Sequence, residues 1–307
     1  MYIQTVSENY LNASKQIFDQ LHTKSNRENI ILNTRFKVCR FPFHAENLSM
    51  KFTFTGSEFY EYGKRRVAVS PSNFLIINQG QEHASWIESN DWVNSFAIYF
   101  TPSLAAGVFS DLLISDEKLV DDPFELIDHK GTINFFQNLF PFSEDFIRDV
   151  SSFKAYLEST GGQEQLIVDD RLRSLLSSFI LEHQRDILEK TEKIEAVKRS
   201  TKIEILRRLH IARDFIESFY TSDINLKQIS ETCFLSENLL LRYFRNAFGI
   251  SPHQYIINRR LDMAKDYLQN SDRSFNEITL LAGFECPSSF GRLFKNRFGY
   301  TPLTARH

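Results

Sequence analysis

"FRNAFGISP" occupies residues 244–252 and "FKNRFGYTP" residues 294–302, the same nine-residue pattern at an offset of fifty. Each copy spells the end of one helix and the start of another. At 100° per residue, a helix beginning after Ser236 gathers Leu240, Tyr243, Phe244, Ala247 and Phe248 within an arc of about 140°. The opposite arc holds Asn238, Leu241, Arg242 and Arg245. Gly249 stands where a left-handed cap closes a helix, and Ser251 with Pro252 supplies the N-cap and first-turn proline of the next. In the second copy Phe290, Leu293, Phe294 and Phe298 are set to pack, while Ser288, Gly291, Arg292 and Lys295 face outward. Gly299, Thr301 and Pro302 repeat the stop and the start.

Working outward, a shorter helical stretch precedes each copy, "NLKQISETCF" and "SFNEITLLAGF", so each copy completes a helix-turn-helix unit. Gly283 suits the second turn, whereas the first offers Cys233 and Phe234 and must turn without glycine. Between the units runs "SPHQYIINRRLDMAKDYLQN", a helix expected at about 252–269 and roughly 27 Å long. With its attached turns, that spacer separates the two outward faces by close to the roughly 34 Å of one turn of B-DNA.

The run "RRLDMAKDYLQNSDRSFNEITLLAGFECPSSFGRLFKNRFGYTP" resembles the signature of the AraC/XylS family of bacterial transcription regulators, over about residues 203–307. The resemblance implies a DNA-binding domain at 200–307 behind a cupin-like β-barrel that binds an effector or a partner subunit. It also implies promoter DNA and RNA polymerase as partners, and no catalysis. Two positions depart from a strong base-reading surface. Leu241 has no hydrogen-bonding group and can only touch a thymine methyl, and Gly291 offers no side chain. Base recognition is therefore expected from Arg242 and Arg292, with Arg245 and Lys295 on phosphates. Cys286 takes the cap position of the second outward helix, where it caps poorly.

The rest of the chain reads differently. Residues 1–197 carry 19 Lys+Arg against 28 Asp+Glu and residues 198–307 carry 17 against 11, giving -9 and +6. A basic final third on an acidic chain suits a polyanion partner for that third. Residues 6–22 show a loose helical stripe through Val6, Tyr10, Ile17, Phe18 and Leu21, a short N-terminal helix. From 30 to 102 come "IILNTRFKVCRF", "LSMKFTFT", "SEFYEY", "RRVAV", "FLIIN", "ASWI" and "WVNSFAIYF", separated by "SPSN", "NQGQ" and "ESND". Six or seven short strands with turn residues between them predict a small barrel or sandwich.

Residues 103–162 read as acidic, Phe-rich and mostly helical, with no role assignable. Residues 168–190 place Leu172, Leu175, Leu176, Phe179, Leu181 and Ile187 near one helical stripe, to pack on the barrel or to pair with a second subunit. The expected fold class is α+β multidomain, an N-terminal cupin-like barrel with a helical dimerisation segment and an all-α C-terminal domain. The expected boundaries are 1–110, 111–195 and 200–307, with "EKTEKIEAVKRSTK" at 189–202 as the boundary between the halves.

For an effector, the sequence offers Phe41 and Phe43 from an aromatic run, Lys64 and Arg65 from a short basic cluster, and His83. A metal-binding barrel needs clustered histidines. His44 and His83 stand 39 positions apart, so no metal and no cofactor is expected. Cys39, Cys233 and Cys286 are scattered without ligand or disulfide spacing, which suits a reducing compartment. No apolar run approaches a membrane span and the N-terminus has no signal-peptide pattern, so a cytoplasmic location is expected; the family resemblance implies a small-molecule effector, and the 168–190 stripe a homodimer. Two rivals are a cupin-type metal enzyme with a DNA-binding tail and a DNA-repair regulator. The second lacks the clustered cysteines such a protein needs.

Overall fold

The computed structural model describes residues 1–9, 24, 27–63, 65–115, 135, 139–196, 198–271 and 273–306. The chain forms two compact units, Met1–Leu188 and Glu189–His307.

Among the described residues, the first unit is an eight-stranded sheet covered by helices. Its strands are β1 (Tyr2–Asn9), β2 (Ile30–His44), β3 (Ser49–Thr55), β4 (Glu58–Tyr62), β5 (Arg65–Val69), β6 (Asn73–Ile77), β7 (His83–Tyr99) and β8 (Leu139–Pro141). Ladder order is β1-β2-β7-β3-β6-β8, and β4 pairs with both β5 and β7. Tyr60, Tyr62, Val67 and Val69 share one buried cluster with Leu75, Ile77 and Leu139. Since β4 and β5 form no ladder with β6, that shared cluster means the sheet curls until its inner faces meet.

The expected N-terminal helix fails over its first residues. Tyr2–Asn9 is a strand, parallel to β2 with Tyr2 opposite Ile31 and Asn9 opposite Val38. A main-chain ladder with a distant strand outweighs a weak local stripe. Residues 10–22 lie outside the described residues. The turn expected at "ESND" also differs, for "ASWI" and "WVNSFAIYF" are one 17-residue strand. In its ladder with β2, Phe36 pairs with Val93 and Val38 already with Glu88, so the turn residues form a bulge inside β7.

Among the described residues, three helices lie beside these strands: α1 (Pro102–Ser115), α2 (Glu144–Thr160) and α3 (Gln165–Glu192). The Phe-rich segment acquires a role here. Phe74 of β6 packs on Phe140, Phe142 and Phe146, with centroids 5.4, 5.3 and 5.0 Å away, and edge-on to Phe179 of α3 at 5.5 Å. On α3, Leu172, Leu175, Leu176, Phe179 and Ile187 are buried, while Leu181 is 40% exposed. Of the helical segment expected at 111–195, α2 and α3 thus pack on the sheet through Phe146 and Phe179, and residues 116–134 lie outside the described residues. Phe136 lies outside the described residues.

The second unit contains α4 (Arg199–Phe219), α5 (Leu226–Thr232), α6 (Glu237–Phe248), α7 (Pro252–Asn270), α8 (Phe275–Leu281) and α9 (Pro287–Phe298), then a single 3-10 turn, Thr304–Arg306. Side-chain caps start four of these helices: Asn225, Ser236, Ser251 and Ser274 each accept from a backbone N–H in the first turn. Cys286 makes no such bond. Gly249 and Gly299 end α6 and α9 in left-handed geometry, at φ 78° and 81°. Around α9, a core of Leu261, Ala264, Leu268, Ile278, Ala282, Phe290 and Phe294 is closed.

Candidate nucleic-acid interface and barrel interior

The two outward faces are built alike. On α6, Leu240, Tyr243, Phe244 and Ala247 are buried, whereas Asn238, Leu241, Arg242 and Arg245 are exposed. On α9, Phe290 and Phe294 are buried and Ser288, Arg292 and Lys295 are exposed, with Gly291 half-buried. One side chain is not extended toward solvent. Arg242 lies over the Tyr243 ring at 4.6 Å and donates from Nη2 to its hydroxyl at 2.9 Å. In the last turn of α9, Arg297 donates from Nη2 to both carboxylate oxygens of Asp262, at 2.8 and 2.9 Å, which ties α9 to α7.

The turns inside the two units solve one problem in two ways. Both need a residue at positive φ, and the second uses Gly283 at 78°. In the first helix-turn-helix unit Phe234 takes φ 56°, the one non-glycine residue in that region among those described. A side chain there costs about 1–2 kcal/mol through its Cβ contact. The Phe234 carbonyl accepts from Arg208 Nη1 at 2.8 Å, which helps hold the turn.

The spacer α7 is pinned from the interior. Arg259 Nε donates to Glu217 at 2.9 Å and the Tyr255 hydroxyl donates to the same carboxylate at 2.6 Å. Arg260 donates to three carbonyls, those of Tyr220, Gly283 and Ser222. The sequence reading passed over these two arginines as spacer residues. Their signal was the "RR" on a helix face opposite the free surface, which periodicity alone does not distinguish from a solvated pair.

In the first unit, the effector candidates scatter. Phe43 is 56% exposed, and Phe41 is a partly buried member of the apolar clusters around Tyr99 and Ile87. Lys64 lies outside the described residues, and of Arg65 the backbone alone is described, in β5. His83 is 1% exposed. The expectation that His44 and His83 stand alone is wrong. Antiparallel pairing of β2 with β7 sets His44 opposite His83, and their ring centroids are 4.4 Å apart. Linear separation hides such neighbours because a ladder closes distances that chain position does not.

Glu46 joins them. Its side chain is 5% exposed, Lys51 Nζ lies 2.6 Å from its Oε1, and Ser49 donates to the same oxygen. His44 Nε2 is 3.5 Å from Oε2 and His83 Nε2 is 3.7 Å from Oε1. The donor atoms of His44, Glu46 and His83 all lie within 4.8 Å of one another. Burial pushes the Glu46 carboxyl upward, but Lys51 and then His83 outweigh it and hold it below the usual carboxylate range. Burial lowers the Lys51 ammonium and the His83 imidazole, the latter to about 4, and raises the Glu58 carboxyl. Lys51 also sits 3.7 Å from the centre of the Tyr99 ring. These groups form a buried polar constellation on the inner side of the sheet that the sequence reading missed, and "HAENLSMK" carried its residues.

Comparison with known proteins adds to this geometry. Residues 229–307 match the model of a helix-turn-helix domain and residues 47–176 that of an AraC-like ligand-binding domain. The chain is similar to the probable transcriptional regulator LumQ of Photobacterium leiognathi, 27% identical over 70% of this chain and 93% of that one. It is 33% identical to the HTH-type transcriptional regulator ExsA of Pseudomonas aeruginosa over 33% of this chain and 38% of ExsA. With the HTH-type transcriptional activator RhaS of Escherichia coli it shares 27% identity over 32% of this chain, and that match spans 36% of RhaS. Among solved structures, ToxT from Vibrio cholerae aligns over 91% of this chain and 97% of its own at 13% identity, with a TM-score of 0.36.

Proposed function

We infer, since this chain belongs to the AraC/XylS family of bacterial transcription regulators, that α6 and α9 read one promoter through successive major grooves. The chain is a DNA-binding transcription regulator with an AraC-like ligand-binding domain ahead of its helix-turn-helix domain. Arg242 and Arg292 are the base-reading side chains, assisted by Asn238, Leu241 and Ser288, while Gly291 lets the backbone approach closely. Arg245 and Lys295 hold phosphates. The observation that carries this reading is the coincidence of exposed cations at fifty-residue spacing on two helices, each backed by a buried aromatic pair. α7, with 19 residues and roughly 28 Å, is the rod between them.

In this reading Arg242 leaves the Tyr243 ring to reach a guanine, exchanging a stacked cation for a bidentate contact worth about 1–3 kcal/mol of discrimination. The protein acts in the cytoplasm as a homodimer, responds to a small molecule through its N-terminal unit and contacts RNA polymerase. Leu166, Leu181 and Leu188, exposed on α3 and within about 60° of one another around its axis, are the apolar stripe offered to a second copy. Enrichment of genomic fragments on the purified full-length chain tests the reading. A small set of shared-motif sequences, lost in the Arg242→Ala and Arg292→Ala double variant, is the expected result. Uniform recovery of the genome by both proteins refutes it.

A further inference from the structure

His44, Glu46 and His83 bring three ligand atoms within 4.8 Å of one another. The Pro42 carbonyl lies 2.8 Å from His44 Nδ1. A carbonyl only accepts, so Nδ1 carries a proton, and Nε2, 3.5 Å from Glu46 Oε2, is the nitrogen left to ligate a cation. His83 repeats the arrangement, with Nδ1 3.4 Å from the Gln81 carbonyl. Backbone carbonyls that fix imidazole tautomers in this way are the usual support of metal-ligating histidines. Glu46 is divided between two roles. Its Oε1 receives Lys51 and Ser49, whereas its buried Oε2 faces His44 Nε2 at 3.5 Å. A cation placed among these three ligand atoms would be held by all of them at once.

We propose that His44, Glu46 and His83 form a site for one first-row divalent transition metal ion, bound through both Nε2 atoms and Glu46 Oε2 with coordination positions left open. Distances fit with little movement. Bonds of roughly 2.1 Å in tetrahedral geometry set ligand atoms about 3.4 Å apart, against 3.5 Å from His44 Nε2 to Glu46 Oε2, while His83 Nε2 lies 3.7 Å from the other carboxylate oxygen. Two imidazoles with one carboxylate select zinc, iron or nickel over magnesium and calcium, which take oxygen cages. Lys51 works the other way. Its ammonium on Oε1 opposes a second cation nearby and so weakens the site, which suits reversible occupancy better than a permanent structural ion. The proposal concerns the first unit alone and does not depend on how the second contacts DNA.

The test uses the full-length chain, stripped with a chelator and titrated with Co²⁺ and separately with Zn²⁺. One equivalent per chain is expected, with visible d–d absorption for cobalt that zinc abolishes. His83→Gln and His44→Gln each weaken affinity by more than about tenfold, while the metal-free melting temperature of the better-folded variant stays near that of the parent. Should both variants unfold, the imidazole proton resonances of the parent decide, since two of the 8 histidines are expected to shift at one equivalent of Zn²⁺. A folded parent chain that binds no stoichiometric metal, or folded variants with parental affinity, or responses from other histidines alone, overturn the proposal.

Discussion

Arg260 donates from Nη1 to the carbonyl oxygen of Gly283 at 2.7 Å, so a side chain of the spacer helix closes on the turn of the second helix-turn-helix unit. The same guanidinium reaches the Tyr220 and Ser222 carbonyls at the end of α4. One cation therefore satisfies three backbone acceptors from two segments that are more than sixty residues apart.

Gly283→Ala should destabilise the second unit by roughly 2 to 3 kcal/mol, because φ is 78° and a Cβ there would stand 2.6 Å from the Thr221 carbonyl oxygen and 3.0 Å from Arg260 Nε. Chemical denaturation of the full-length variant measures it. A midpoint equal to the parent's would mean the turn is not closed as described.

Phe234→Gly should do the opposite. Phe234 is 77% exposed and holds φ 56°, so glycine removes the left-handed penalty and forfeits little packing. Against the greater flexibility of glycine when unfolded, the net gain is roughly 0.5 to 1 kcal/mol. A small upward shift in the same denaturation midpoint is the expected reading.

Arg292→Ala and Lys295→Ala should separate two kinds of contact made by neighbouring exposed cations on α9. Losing Arg292 weakens selected DNA by about 1–3 kcal/mol more than random DNA. Losing Lys295 weakens both alike and lowers the magnitude of the salt slope by about 1. Binding titrations on both DNAs across a salt series distinguish them, and equal losses for Arg292→Ala would move it to the phosphate class.

Much of the second unit was legible because its determinants are local. Ser236, Ser251 and Ser274 cap, Gly249, Gly283 and Gly299 turn, and Phe244 and Phe294 pack at helical spacing, each readable within a few residues. The first unit was legible in its strands but not in its pairings. Nothing near Val6 announces Arg35, nor does His44 announce His83, since a ladder is decided between segments and not within one. Hence the exposed positions Asn238, Leu241, Arg242, Arg245, Ser288, Arg292 and Lys295 could be read from helical spacing, whereas the Glu46–Lys51 pair and its histidines could not. The Phe-rich segment failed for the same reason, as its rings have no meaning until Phe74 is beside them.

Alkaline pH should loosen the second unit. Burial pushes the Tyr220 phenol up to about 12, with Arg259 pulling weakly the other way, and burial also raises Tyr255. A raised phenol keeps its proton when folded, so its contribution is whole below about pH 10 and is lost as pH climbs through about 12. The loss is about 2 to 3 kcal/mol for Tyr220. Stability measured between pH 9 and 12 should fall less steeply in Tyr220→Phe than in the parent, and identical slopes would contradict the burial of that hydroxyl.

Two cationic helix faces on one duplex are the centre of this account, and guanine methylation interference on a selected fragment tests them most directly. The account predicts two clusters of interfering guanines about 10 to 10.5 base pairs apart, one abolished by Arg242→Ala and the other by Arg292→Ala. A single cluster, or two separated by half a helical turn, or the same guanines lost in both variants, would contradict it.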